Sequence, residues 1–253
     1  MTGSGALGGR RVVLTRPATG RPDRLAALLT AAGADVVQVA LIAIGAATDG
    51  GAALSTALAR LDTFDWLVVT SSNGADRVGA AARRSSVRLA AVGDATAATL
   101  TDHAGRPVEL VPAEQRTSGL LAVFPAGPAR VLVAQGNLAG SELADGLSAR
   151  GADVTVAEAY ATVRRHPTGA ELEVLRRADV VVLASGSAVP AWLAAAPPPD
   201  VASAAPAIVV IGPRTAGVAA GAGLAVAAVA NSPTPDDVLA AVVKSLLGTG
   251  PVR

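Results

Sequence analysis

Short apolar runs with no polar alternation recur along the chain: Arg11-Val12-Val13-Leu14, Trp66-Leu67-Val68-Val69, Arg130-Val131-Leu132-Val133 and Val180-Val181-Val182-Leu183. Runs of this length, rich in β-branched residues, are how strands buried on both faces of a parallel sheet read. Between them lie Ala/Leu-rich stretches with helical spacing. In Asp23–Ala32 the leucines Leu25, Leu28 and Leu29 share one stripe. Gly33 and Gly151 stand where a helix would close with a left-handed cap. Strand and helix patterns alternate throughout, which predicts an α/β protein built from doubly wound parallel sheets.

The pattern also repeats. Arg11–Leu14 followed by Gly33-Ala34-Asp35-Val36-Val37 is matched by Arg130–Val133 followed by Gly151-Ala152-Asp153-Val154-Thr155. The run Asp65-Trp66-Leu67-Val68-Val69-Thr70-Ser71-Ser72-Asn73 is matched by Asp179-Val180-Val181-Val182-Leu183-Ala184-Ser185-Gly186-Ser187. Ala91-Val92-Gly93 and Val210-Ile211-Gly212 follow at corresponding places. Two similar lobes are therefore expected. Their units come in the order A, B, A′, B′, and two assemblies fit: A with B and A′ with B′, or a crossed chain in which B′ folds back onto A. The β-prone segments Val39–Ile44 and Ala157–Val163 fit a two-stranded linker between lobes.

Composition narrows the function. A chain of 253 residues has room for one large core or two domains. Its net charge is +1, it has no basic arm, and it holds two Trp, two Phe and one Tyr, so neither a basic face nor stacking rings invite nucleic acid. The basic set is almost all arginine, Lys244 being the exception, which reads as a GC-rich coding bias. With no cysteine there are no disulfides, thiolate metal sites or thiol nucleophiles. No run of about 20 strongly apolar residues exists, so a membrane span is not expected; Thr215–Pro235, the longest uncharged stretch, is broken by glycines and prolines and reads as a buried strand with its flanking helix. The first residues lack the pattern of a secretory leader, so a cytoplasmic protein is expected.

Candidate chemistry collects just after the strands, where open α/β sheets hold their ligands. Thr15-Arg16 follows the first run, Ser71 and Asn73 the second, Gln135-Gly136-Asn137 the third and Ser185-Gly186-Ser187 the fourth. The turns Gly93-Asp94-Ala95-Thr96 and Gly212-Pro213-Arg214-Thr215 each open a helix. Such tips offer hydroxyls and free N–H groups suited to carboxylates or phosphates, although the same residues also serve as plain helix caps. Neither GxGxxG, GxxxxGK[ST] nor GxSxG is present in the required context. His103 and His166 read as solvated loop residues, and Glu171 and Glu173 as acids favouring a helix start. Tyr160, the single tyrosine, could exchange a proton through its phenol or simply pack.

The ordered set Leu14-Thr15-Arg16-Pro17, Thr70-Ser71-Ser72-Asn73-Gly74, Ala91-Val92-Gly93 with Ala95-Thr96, Ala159-Tyr160-Ala161-Thr162, Ser185-Gly186-Ser187, Ile211–Ala216 and Asn231-Ser232-Pro233-Thr234 resembles the uroporphyrinogen-III synthase family over roughly residues 10–247. The first linker lacks an expected proline, and Ala184-Ser185 replaces a more usual Thr-Ser or Phe-Ser. The resemblance implies two flavodoxin-like lobes, a discontinuous one from 1–40 plus 165–253 and an inserted one from 45–158, joined by linker strands at 40–45 and 158–165, with the substrate in the cleft between the lobes. It implies a lyase that closes the linear tetrapyrrole hydroxymethylbilane with inversion of ring D and loss of water, through an azafulvene cation and a spiro intermediate, using no cofactor and no metal. Tyr160 matches the family tyrosine proposed to act as an acid, and Thr96, Thr215, Ser185 and Ser187 match positions lining the cleft. The tips add Thr15, Ser71, Asn73, Gly136 and Gly186 as binding candidates, with Arg16 and Arg214 as carboxylate partners by residue type. Expected partners are the tetrapyrrole and, transiently, hydroxymethylbilane synthase, with the chain itself a monomer. The competing reading is a catalytically silent tetrapyrrole- or polyanion-binding module of the same fold.

Overall fold

Strands that lack alternation must be covered on both faces, and each central strand here sends alternate side chains into two different cores. The computed structural model describes residues 5–17, 23–195 and 205–247. In chain order these form β1 (Arg11–Leu14), α1 (Arg24–Ala31), β2 (Asp35–Gln38), β3 (Ile42–Gly45), α2 (Ala52–Ala59), β4 (Trp66–Val69), α3 (Ser72–Ala82), β5 (Arg88–Ala91) and α4 (Asp94–Ala104). Next come α5 (Thr117–Val123), β6 (Arg130–Gly136), α6 (Glu142–Ser148), β7 (Asp153–Arg164), α7 (Gly169–Arg176) and β8 (Val180–Leu183). The described chain ends with α8 (Ala188–Ala195), β9 (Ala207–Val210), α9 (Pro213–Gly221), β10 (Ala228–Val229) and α10 (Pro235–Leu247). The fold is α/β with parallel-sheet lobes, and no helix among the described residues is long and apolar enough to cross a membrane.

The chain divides into two compact units. One takes the residues up to Ala43 and those from Val163 onward; the other is Ile44–Thr162. The first unit's sheet has the order β10-β9-β8-β1-β2, the second's β3-β7-β6-β4-β5. Read from the other edge, the first is a 2-1-3-4-5 flavodoxin-type sheet. The second keeps the same order, but its fifth position is filled by β3, which comes before its other strands in the chain. Val13 lies in register with both Val37 and Val181, so the opening strand pairs with one far along the sequence.

Two-sided burial explains the strand composition. In the first unit Val12 and Leu14 join Val180 and Val182 in a core beneath α1 and α10, while Val13, Val181 and Leu183 point into a core with α8 and α9. In the second, Leu67, Val69 and Leu132 pack with α2, α3 and α4, and Trp66, Val68, Val131 and Val133 with α5 and α6. Gly33 and Gly151 are left-handed, with φ of 92° and 95°. At Gly79 close packing depends on hydrogen: a β-carbon there would lie 2.2 Å from His103 Cβ.

Three expectations are revised. The stretch Thr215–Pro235 holds not a buried strand but the two-residue β10 at the sheet edge, where it pairs with β9 and leaves Val229 exposed. His103 sits in the last turn of α4, its ring 3.0 Å from Asp76, because the Ala/Thr/Leu stretch from Asp94 carries the helix past it. The segment beginning at 158 is no separate strand, since β7 runs unbroken for 12 residues.

Candidate active site

In a doubly wound sheet the loops diverge where the strand order reverses, leaving a crevice at the C-terminal strand ends. In the first unit that point lies between β1 and β8, in the second between β4 and β6.

The first unit's switch point collects Thr15 and Arg16 after β1 and Ser185–Ser187 after β8. Thr15 is fully buried and donates its hydroxyl to the Val182 carbonyl at 2.8 Å, so its hydrogen is spent on holding β1 to β8. Ser185 and Ser187 share a hydroxyl–hydroxyl hydrogen bond of 2.9 Å. Arg16 is not a free carboxylate clamp. Its Nε donates to Asp23 at 3.0 Å and its Nη2 pairs with the other carboxylate oxygen, while Gln38 Nε2 donates to the same Asp23 at 2.9 Å. Asp23 in turn caps α1 by accepting from the Ala26 N–H at 3.1 Å. Burial pushes its carboxyl up, but the Ala26 N–H and the Arg16 guanidinium outweigh that and hold it below its ordinary value. Asp23 and Gln38 were not predicted as Arg16's partners, and only the general preference for Asp at helix starts hinted at the first.

Two helices open in the same way, one in each unit. Gly93 caps α4 and Gly212 caps α9 with no side-chain bond, and the third helical residue in each, Thr96 and Thr215, is buried. Arg214 is exposed beside Thr215, and no hydrogen bond or ion pair of its side chain occurs among the described residues. The Asn231–Thr234 motif builds a helix start: Ser232 donates to Asp237 at 2.5 Å ahead of α10. Glu171 completes a capping box with Thr168, and hydrogen bonds from Arg165 and then from the Thr168 N–H hold its carboxyl below the ordinary range.

The second unit's switch point is where Tyr160 sits. Ser71 is the N-cap of α3, accepting from the Gly74 N–H at 3.2 Å, and its hydroxyl donates to the Tyr160 phenol oxygen at 2.9 Å. Asn73 is half-buried in the same first helical turn. Tyr160 reaches Ser71 through an irregularity in the sheet. Gln135 pairs with Glu158 but Gly136 pairs with Tyr160, so Ala159 is an extra residue in β7. Such a bulge re-aims the side chain that follows it. Gly136 makes room for the ring: a β-carbon there would lie 2.6 Å from Tyr160 Cζ and 2.8 Å from its hydroxyl. Asn137, which was grouped with the strand tip without a role of its own, clamps the strand. Its N–H donates to the Tyr160 carbonyl at 3.1 Å, and its side-chain oxygen accepts from the Thr162 N–H at 2.8 Å.

The arrangement thus offers a phenol held by a hydroxyl and a glycine floor, with further hydroxyl and N–H donors at strand and helix ends. Comparisons with known proteins bear on the family and the fold. A curated uroporphyrinogen-III synthase from Synechococcus elongatus is 31% identical over 160 residues, which is 59% of this chain and 60% of that protein's own length. Among solved structures, a mutant uroporphyrinogen III synthase from Thermus thermophilus superposes with a TM-score of 0.64 at 17% identity, covering 95% of this chain and 100% of that one. The uroporphyrinogen-III synthetase of Helicobacter pylori gives 0.63 at 18% identity, covering 92% and 98%. At such identities the structures speak for the fold. The family model described as uroporphyrinogen-III synthase HemD matches residues 23–240, and on that match the chain belongs to the uroporphyrinogen-III synthase HemD family.

Proposed function

We propose that this protein is a uroporphyrinogen-III synthase, a cyclising lyase that converts hydroxymethylbilane to uroporphyrinogen III with inversion of ring D and release of water. The observation that carries the reading is Tyr160, poised on Ser71 and Gly136 within a chain whose family match spans 23–240. Its phenol gives a proton to the departing hydroxyl of the substrate, so that the C–O bond breaks and water leaves an azafulvene cation. The already substituted α-carbon of ring D bonds to that cation to give the spiro intermediate. Its bond to the original methylene bridge then breaks, and the second azafulvene so formed bonds to the free α-carbon of ring D. Loss of the proton from that carbon restores the pyrrole and inverts the ring.

Hydroxymethylbilane is reactive enough to close unaided to the uninverted isomer, so the protein's work is mainly to hold one geometry. The hydroxyls of Ser185 and Ser187, the helix starts carrying Thr96 and Thr215, and the exposed Arg214 are the groups we assign to the acetate and propionate carboxylates. Thr15 shapes the first unit's edge with its hydroxyl engaged, and beside it Arg16 has its Nε and Nη2 held by Asp23. Asn73 and Gly186 complete the candidate binding set. The reading takes the protein as a cytoplasmic monomer that receives its substrate from hydroxymethylbilane synthase through transient encounters.

The test is a coupled reaction of porphobilinogen and hydroxymethylbilane synthase with and without this protein, followed by oxidation and separation of isomers. Uroporphyrin III in place of isomer I is the expected product. Isomer I alone, from protein shown to be folded, would overturn the assignment.

A further inference from the structure

The hydroxyl of Ser71, a residue the sequence offers for substrate binding, has both of its hydrogen bonds within the protein. It accepts from the Gly74 N–H at the start of α3 and gives its own hydrogen to the Tyr160 oxygen. The phenol's O–H is thereby left free to donate elsewhere. A hydrogen bond to an oxygen strengthens as that oxygen gains negative charge, so this donor is worth more while the phenol is losing its proton than before. That difference is what accelerates a step. We propose that Ser71 is a positioning residue for Tyr160, acting on the reaction through the phenol and not through contact with substrate; this rests on the synthase reading above. The Ala159 bulge, the Gly136 floor and the Asn137 clamp fix the backbone and ring around that bond, so Ser71 decides the last degree of freedom, the direction in which the phenol O–H points.

The experiment compares kcat and KM for Ser71→Ala, Ser71→Thr, Tyr160→Phe and the Ser71→Ala/Tyr160→Phe double variant in the isomer-III assay. Ser71→Gly serves as a second probe, because glycine is tolerated as an N-cap while still lacking the donor. The expected result is that Ser71→Ala and Ser71→Gly lower kcat about tenfold with KM unchanged, roughly the worth of one hydrogen bond to a charged group. Ser71→Thr should recover most of the loss, and the double variant should be no slower than Tyr160→Phe alone, since the partner Ser71 acts through is already gone. A rise in KM for Ser71→Ala, or losses that multiply in the double variant, would show that Ser71 touches substrate itself and would overturn the proposal.

A second readout does not depend on activity. The chain has one tyrosine, so protein carrying 13C-labelled tyrosine gives a single ring Cζ resonance. That resonance should move in Ser71→Ala and Ser71→Gly and return in Ser71→Thr; a resonance indifferent to all three would refute the bond. If the wild-type protein makes only isomer I, the synthase reading falls and the positioning role falls with it. If wild type makes isomer III while Ser71→Ala keeps full kcat, the positioning role alone is refuted.

Discussion

Gly136→Ala is a small change with a large expected effect on turnover. The backbone poses no obstacle, because Gly136 is not among the left-handed glycines of the described chain. The obstacle is the ring. The added β-carbon would lie 2.6 Å from Tyr160 Cζ, 2.8 Å from Cε2 and 2.8 Å from the hydroxyl. Carbon atoms rest at about 3.5–4.0 Å, so the ring must retreat by roughly 1 Å. The Ser71–Tyr160 bond starts at 2.9 Å, and a retreat of that size takes it out of hydrogen-bonding range. A misplacement of about 1 Å at a reacting group costs on the order of a hundredfold in rate. Overpacking adds a stability cost of about 1–3 kcal/mol, which the well-buried sheet of this unit should survive. The measurement is isomer-III formation by the purified variant beside its thermal unfolding curve. The expected outcome is a folded protein with kcat reduced on the order of a hundredfold. Wild-type turnover from a folded Gly136→Ala protein would refute the view that the ring's present position matters.

Other predictions follow from single features. Tyr160→Phe should slow isomer-III formation by about a hundredfold, the low end for a general acid acting on a reactive substrate, without abolishing it; complete loss in a folded variant would make the phenol indispensable. Asp23→Asn should lower stability by up to about 1 kcal/mol near neutral pH through the lost Arg16 pair, since asparagine can still cap α1. Because the Asp23 carboxyl titrates lower in the folded protein than in the unfolded chain, its contribution is present above the ordinary carboxylate value and is lost as pH falls through the lower folded one. The difference in Tm between wild type and variant should therefore hold near neutral pH and shrink as pH falls below the ordinary carboxylate value, and a difference constant through that fall would refute the linkage. Gly79→Ala sets a β-carbon 2.2 Å from His103 Cβ; the α3–α4 contact must part, and the midpoint of urea unfolding should drop by the equivalent of about 1–3 kcal/mol.

Some of this organisation is legible in the residues and some is not, for reasons that lie in distance. The α/β class follows from runs such as Val180–Leu183, whose want of alternation means cover on both faces. The left-handed caps at Gly33 and Gly151 are equally local. Register is not local. Nothing in the letters around Val13 says that Val181 will lie beside it, and nothing around Ala159 marks it as the extra residue that turns Tyr160 toward Gly136. A bulge belongs to a pair of strands, so one strand's sequence does not reveal it. Arg16 illustrates the same limit for side chains. Its type suits a substrate carboxylate, yet Asp23 supplies one seven residues away in the chain. The histidine His103 was misread because polar neighbours such as Thr101 and Asp102 suggest a loop, whereas the helix needs only its buried stripe, Thr96, Leu100 and Ala104.

The two units also separate what the duplicated plan provides from what one strand adds. Both sheets end in glycine-capped helices with a buried threonine in the third position, so each unit carries donors for anions as a property of its topology. The strand flanking the inner pair differs. In the first unit β9 matches β8 residue for residue, from Val180 beside Ala207 to Leu183 beside Val210, and stops there. Its counterpart β7 continues for four residues past its pairing with Gly136, gaining one residue on β6 at Ala159. Tyr160 lies opposite Gly136, the last residue of β6, and the bulge at Ala159 turns its side chain toward Ser71. Glycine-capped helix starts with a buried threonine therefore occur once in each unit, whereas the proposed acid depends on one residue too many in β7. Removing Ala159 should uncouple Tyr160 from Ser71 at some cost to the core that Ala159 joins, while the pairing of Arg130–Gln135 with Asp153–Glu158 persists, because that register is complete before the irregularity begins.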